Sequence, residues 1–129
     1  MGVSNSWRNE ASRRFPQFAA SLTEADTPYL LWFDLLGAFE SAYDRGDESL
    51  IEAIYAYAKW CCCQPRGKSA DDDLATCVTV SFYEHIPTYP KALKDMPRWW
   101  SREEVMKLKE VFSYLAGEKT YAALLELYC

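Results

Sequence analysis

One stretch constrains this chain more than any other: TPYLLWFDLLGAFESAYDRGD, residues 27–47. Thr27 is a good helix N-cap, because its hydroxyl accepts from an amide that the first turn leaves unpaired. Pro28 fits the first helical position, where its missing N–H costs nothing. Trp32, Leu35, Leu36, Phe39 and Tyr43 then recur at helical spacing and share one face. Gly46 supplies a C-terminal stop, and Asp47 can cap the next helix at once. That next helix, ESLIEAIYAYAKWCC, carries its apolar stripe on Leu50, Ile51, Ile54, Ala58 and Cys61.

The rest of the chain follows the same grammar. A first helix from about Ser6 places Trp7, Ala11, Phe15 and Phe18 on a stripe, and Pro16 should end or kink it. QPRGKSA reads as a loop. Ser69 opens a fourth helix with Asp71, Asp72 and Asp73 in the first turn, where the helix dipole favours anions. Leu74, Cys77, Val78, Ser81 and Phe82 continue it. CVTVSFY is also rich in β-branched and aromatic residues, as strands are, but the acidic, capped start argues for a helix. Pro87, Pro90 and Pro97 bracket a short helix or turn. Ser101 and Glu104 make a capping box, with Trp100 and Val105 at staple positions. Val105, Leu108, Val111, Phe112 and Leu115 line that helix, which Gly117 ends. A last helix from about Lys119 carries Tyr121, Leu124, Leu125 and Tyr128. The expectation is an all-α, compact single-domain bundle of about six or seven helices over residues 1–129.

With 129 residues and 50% apolar composition, the chain can bury a continuous core without a metal or disulfide staple. No run approaches the roughly 20 apolar residues that span a bilayer, so no membrane span is expected. The N-terminus lacks the apolar core of a signal peptide. Five cysteines, three of them adjacent, do not form the even, spaced pattern of a secreted scaffold, and a cytoplasmic location follows. MGVSNS does match the short acylation pattern centred on Gly2, with Arg8, Arg13 and Arg14 as the electrostatic second signal that one acyl chain needs.

The cysteines are the most conspicuous candidate for chemistry. On a helix Cys61, Cys62 and Cys63 point about 100° apart, so three thiolates cannot readily converge on one metal. Cys77, Cys129 and His85 would have to complete a site from separate places. Buried free cysteine behaves as a small hydrophobe, so Cys61 is expected to continue the apolar stripe. Metal binding or a redox role remains the alternative. His85 is the only histidine. Eight residues of helix would hold it about 12 Å from Cys77, too far for a nucleophile–base pair. Nucleophile elbow, phosphate loop, dinucleotide fingerprint and His-Glu-x-x-His are all absent. The three aspartates lack the alternating ligands of a calcium loop. No catalytic residue, metal ligand or cofactor is assigned.

Charge is distributed unevenly. Between Glu24 and Glu52 stand eight acids and one base, Arg45, whereas Lys91 to Lys109 holds six bases and three acids. A net charge of -5 disfavours nucleic acid and suits a basic protein partner. Glu40 and Asp44 lie one turn apart on a shared face, and Asp47 and Glu48 extend that edge. Leu30 and Leu31 project from the main stripe of their helix, and Phe33 flanks it. Trp99 and Trp100 are adjacent, so both cannot be equally buried. Asp34, Glu40, Asp44, Asp47, Glu48 and Trp99 are therefore the candidate partner-binding residues. A solvated helical face, or a central helix buried on both sides, would explain the same pattern without a partner.

TPYLLWFDLLGAF, VTVSFYEHI and DMPRWWSREEV resemble segments of small uncharacterised helical proteins of bacteria, some encoded beside polymorphic toxins as immunity proteins. The resemblance covers the chain from about residue 15, and the shared residues are structural. It implies no catalytic residues. It implies instead that the chain binds a toxin domain, often a basic one, and occludes its active site. The leading expectation is accordingly a non-enzymatic immunity protein. The alternative is a small cysteine- or metal-dependent enzyme or regulator using Cys61–Cys63 with His85.

Overall fold

A computed structural model describes residues 2–25, 27–65 and 73–128. Every regular element among them is helical: α1 (Gly2–Arg14), α2 (Ala19–Glu24), α3 (Pro28–Arg45), α4 (Glu48–Cys62), α5 (Leu74–Ser81), α6 (Pro90–Asp95), α7 (Arg102–Lys107), α8 (Lys109–Tyr114) and α9 (Glu118–Glu126). Tight 3-10 turns occupy Pro16–Phe18, Tyr83–Thr88 and Met96–Arg98. The all-α expectation holds. The helical segments are more numerous and shorter than the expected six or seven, because prolines and one bend subdivide them. Internal packing groups the chain into two units, Met1–Ser81 and Phe82–Cys129.

In the first unit the local signals act as written. The Thr27 hydroxyl accepts from the Leu30 amide at 3.4 Å, and Pro28 begins α3. Gly46 adopts φ 71°, the left-handed conformation that any side chain would strain, and ends α3. The Asp47 carboxylate accepts from the Leu50 amide at 3.2 Å and starts α4. Pro16 begins a 3-10 turn between α1 and α2. CVTVSFY is helical through Ser81. The expected start of α5 at Ser69, with Asp71 and Asp72, lies outside the described residues, and Asp73 instead accepts from the Thr76 hydroxyl at 2.7 Å.

The core of this unit forms where α3 packs on α4 and α5, and α1 packs on α4. Tyr57 lies at its centre. Its ring stacks on Trp32 at 5.5 Å and on Trp60 at 5.9 Å, and meets the Phe15 ring edge-on at 5.6 Å. Its hydroxyl donates to the Trp7 carbonyl at 2.9 Å, tying α4 to α1. Leu31, Leu35 and Phe39 of α3 and Ile51 and Ile54 of α4 are buried in the same unit. Leu31 is 1% exposed, so it does not project from the buried stripe as its offset predicts. It flanks a stripe widened by packing on several neighbours, whereas Leu30 and Phe33 do face outward. The arginines near the N-terminus are engaged internally. Arg8 donates to the carbonyls of Leu22 and Ala25, and Arg13 and Arg14 both pair with Glu10.

The second unit is built from shorter pieces. The 3-10 turn Tyr83–Thr88 packs against α6, α8 and α9. Ile86, Met96, Val105, Phe112 and Leu124 are fully buried there. Trp100 meets Tyr83 at 4.8 Å and Phe112 at 5.1 Å, both edge-on. The Ser101–Glu104 capping box forms as expected. The helix it opens is not continuous to Gly117, however. It bends at Leu108, where no proline or glycine stands. The reason is tertiary. The Tyr121 hydroxyl donates to the Val105 carbonyl at 3.2 Å, the acceptor that an unbroken helix reserves for the Lys109 amide. Because α8 stops at Tyr114, Leu115 leaves the expected stripe and is 46% exposed.

The Tyr57 geometry sets a test. Tyr57→Phe keeps the aromatic stack and removes the hydroxyl that bonds the Trp7 carbonyl and lies beside the Cys61 thiol. It should lower unfolding free energy by about 1 kcal/mol, read by urea titration, with the denaturant slope unchanged. Unchanged stability would show that the α1–α4 tie contributes nothing.

Candidate functional site

The helical spacing of α3 sorts its residues into two faces. Pro28, Leu31, Trp32, Leu35, Phe39 and Ala42 are buried. Leu30, Phe33, Asp34, Gly37, Ser41 and Asp44 are exposed, and Glu40 is half-buried beside them. Positions 30, 33, 37, 40–41 and 44 fall on successive turns, so this outer face is one continuous strip. Its N-terminal half is apolar, with Leu30 45% and Phe33 55% exposed. Its C-terminal half is acidic.

The acidic edge then turns a corner. Gly46 ends α3, and Asp47 and Glu48 begin α4. Asp47 is half-buried and already committed as the N-cap of α4. It also lies 3.7 Å from the Arg45 guanidinium. The Arg45 side chain is 62% and the Asp47 side chain 40% exposed, so water screens the pair and it contributes little stability. Glu48 stands exposed in the first turn of α4, where the helix dipole favours an anion. The structure therefore brings Asp34, Glu40 and Asp44 onto one helix and adds Asp47 and Glu48 at its end. Trp99 belongs to the second unit. Its indole N–H donates to Asp95 at 3.0 Å, and the Arg98 guanidinium lies 5.1 Å from its ring. Trp99 is half-buried and Trp100 is buried, so the adjacent pair divides as the sequence requires.

Sequence reasoning passed over one residue on this strip. Gly37 sits in the middle of α3, on the exposed face, and a Cβ there would meet no atom within 4 Å. The fold does not need a glycine at this position. The available signal was a lone glycine inside an otherwise strong helical pattern, which costs about 1 kcal/mol relative to alanine.

The cysteine cluster divides by helical geometry. Cys61 is buried, and Cys62 and Cys63 are exposed. Burial pushes the Cys61 thiol up to about 12, even though the neighbouring Tyr57 hydroxyl and Trp32 indole pull the other way. A thiol held protonated at neutral pH is a weak nucleophile and a poor metal ligand. Cys63 caps the end of α4. Among the described residues no three of His, Cys, Asp and Glu are grouped to hold a metal ion. Cys129 lies outside the described residues. The helix carrying Cys77 ends at Ser81, so the expected helical spacing to His85 does not apply. His85 is half-buried in the 3-10 turn, and its carbonyl accepts from the Thr88 hydroxyl at 2.6 Å.

A hollow of about 380 Å³ opens between the end of α4 and α5, lined by Cys62, Gln64, Asp73, Thr76 and Thr79 among others. Its polar groups are already used: Gln64 donates to the Trp60 carbonyl, Thr76 to Asp73 and Thr79 to the Ala75 carbonyl. It therefore offers few free groups to orient a ligand.

Brief alkylation at pH 8, read by peptide mass spectrometry, should modify Cys62 and Cys63 and leave Cys61 intact until the protein unfolds. The raised Cys61 value has a second consequence. Below pH 9 the thiol is neutral in both states and costs nothing. Between 9 and about 12 the unfolded chain ionises and the folded chain does not, so stability falls as pH rises. A Cys61→Ala variant should show a shallower alkaline decline than the unaltered protein. Equal slopes would place that sensitivity elsewhere.

No curated protein sequence and no solved structure matches the chain. Among the described residues no helix is long and apolar enough to cross a membrane. Residues 8–115, which include α3, α4 and α5 entire, match the family model described as Domain of unknown function (DUF7674), and the chain belongs to that family.

Proposed function

We propose that this chain is a non-enzymatic protein-binding module, and most concretely an immunity protein that covers the active site of a basic toxin domain. The observation that carries the reading is the acidic edge. Asp34, Glu40 and Asp44 on α3 and Asp47 and Glu48 at the start of α4 put five carboxylates on one strip and its adjoining corner. Such a field attracts a basic partner and speeds encounter more than it adds affinity. It would repel nucleic acid and anionic lipid. Exposed Leu30 and Phe33 beside those charges supply the apolar contact that a stable complex also needs. The burial of Cys61 supports the same reading, because a thiol sealed in the core is not open to a metal or substrate. On this reading the protein works in the cytoplasm without a cofactor.

The partner should co-purify with tagged protein from its native source and elute as salt rises. Charge reversal must respect the fold. Asp47→Lys would remove the cap of α4, so Asp47→Asn replaces it, since asparagine caps equally well. The variant combining Glu40→Lys, Asp44→Lys, Glu48→Lys and Asp47→Asn should associate about tenfold more slowly, with a weaker salt dependence. Unaltered association kinetics in surface plasmon resonance would remove this edge from the binding site.

A further inference from the structure

We infer that the outer face of α3 is a seat for an amphipathic helix of the partner protein, one whose apolar stripe is flanked by Lys and Arg and which crosses α3 at Gly37. The inference rests on the protein-binding reading and specifies what is bound.

Three features converge on the same strip. First, Leu30 and Phe33 are large apolar side chains left 45% and 55% exposed on consecutive turns. Second, the next turn is Gly37, with Ser41 one turn further on, so the ridge of side chains drops away beyond the apolar pair. Packed helix axes lie about 8–10 Å apart, and the side chains at the crossing set that distance. A glycine there lets a second backbone come to the near end of the range. The protein's own packing gives no reason for it, since a Cβ at Gly37 would point into open space. Third, Asp34, Glu40 and Asp44 border the depression, so the occupant's flanks must be basic.

The charges also argue against a second copy of this chain. In an antiparallel two-fold pairing centred on Gly37, Asp34 would face Glu40 of the other copy, twice. Leu30 would face Asp44. Like charges and apolar-to-carboxylate contacts would fill that interface.

A synthetic peptide of Leu and Lys in amphipathic helical order, about five turns long, serves as the probe, with a scrambled peptide of the same composition as control. Titration followed by amide NMR should perturb Leu30, Phe33, Gly37 and Ser41 with the ordered peptide. The scrambled peptide should bind at least about tenfold more weakly. Gly37→Ala should raise the melting temperature by a few degrees and keep binding close to that of the unaltered chain. Gly37→Trp should keep the fold, because its side chain enters open space, and should weaken the ordered peptide at least about tenfold. Equal binding of the two peptides, perturbation away from α3, or indifference to Gly37→Trp would overturn the inference, as would a stable dimer of the unaltered chain in sedimentation. The two readings fail separately. A native partner that binds Gly37→Trp normally but loses the charge-reversed variant removes the helix seat and leaves the acidic edge. One that ignores both variants removes both.

Discussion

Tyr57 is the contact on which the first unit depends. Its ring lies between Trp32 and Trp60, its edge meets Phe15, and its hydroxyl reaches back to the Trp7 carbonyl. Aromatic side chains bury more area than any other type, and a buried Tyr hydroxyl needs a partner. Here both demands are met at once, and the partner lies 50 residues earlier in sequence. Helices α1, α3 and α4 are thereby fixed around one ring. Burial also pushes the phenol's ionisation far above its ordinary value. The same crowding buries Cys61 and raises its thiol pKa, so the packing that stabilises this unit also seals one of its cysteines from solvent.

Local signals were legible wherever one residue type has one physical use. Thr27, Pro28, Gly46 and Asp47 bound α3 and α4 at the expected residues, and the Ser101–Glu104 box opens α7. The stripe of α4 was read correctly through Leu50, Ile51, Ile54, Ala58 and Cys61, yet Tyr57 was missed. It sits beside that stripe, and its burial follows from Phe15, just past α1, and Trp32 on α3, which periodicity within α4 cannot reveal. The bend at Leu108 escaped for the same reason, since its cause is a hydroxyl on α9. Leu31 was misplaced because a single stripe per helix was assumed for a helix that packs on several others.

The candidate surface was legible in its charges more than in its shape. Acidic residues can be counted from the sequence, but the count does not show that Asp47 is spent as a cap. Nor does it show that Trp99 is anchored by Asp95 and Arg98. Leu30 and Phe33 were noticed as surplus aromatic and aliphatic residues, and both lie on the outer face of α3, opposite its buried stripe. Gly37 became meaningful only beside the space around it, because a mid-helix glycine can equally mark a tight internal contact.

The corner at Gly46 and Asp47 has a consequence for recognition. Only two residues separate the end of α3 from the start of α4. One is locked by its left-handed backbone and the other by its bond to the Leu50 amide. Carboxylates carried on long loops must be immobilised when a complex forms, and each ordered side chain or loop subtracts from affinity. Those around this corner are mounted on helix ends whose backbone is already set. A positively charged partner arriving here would meet carboxylates whose backbone needs no further ordering.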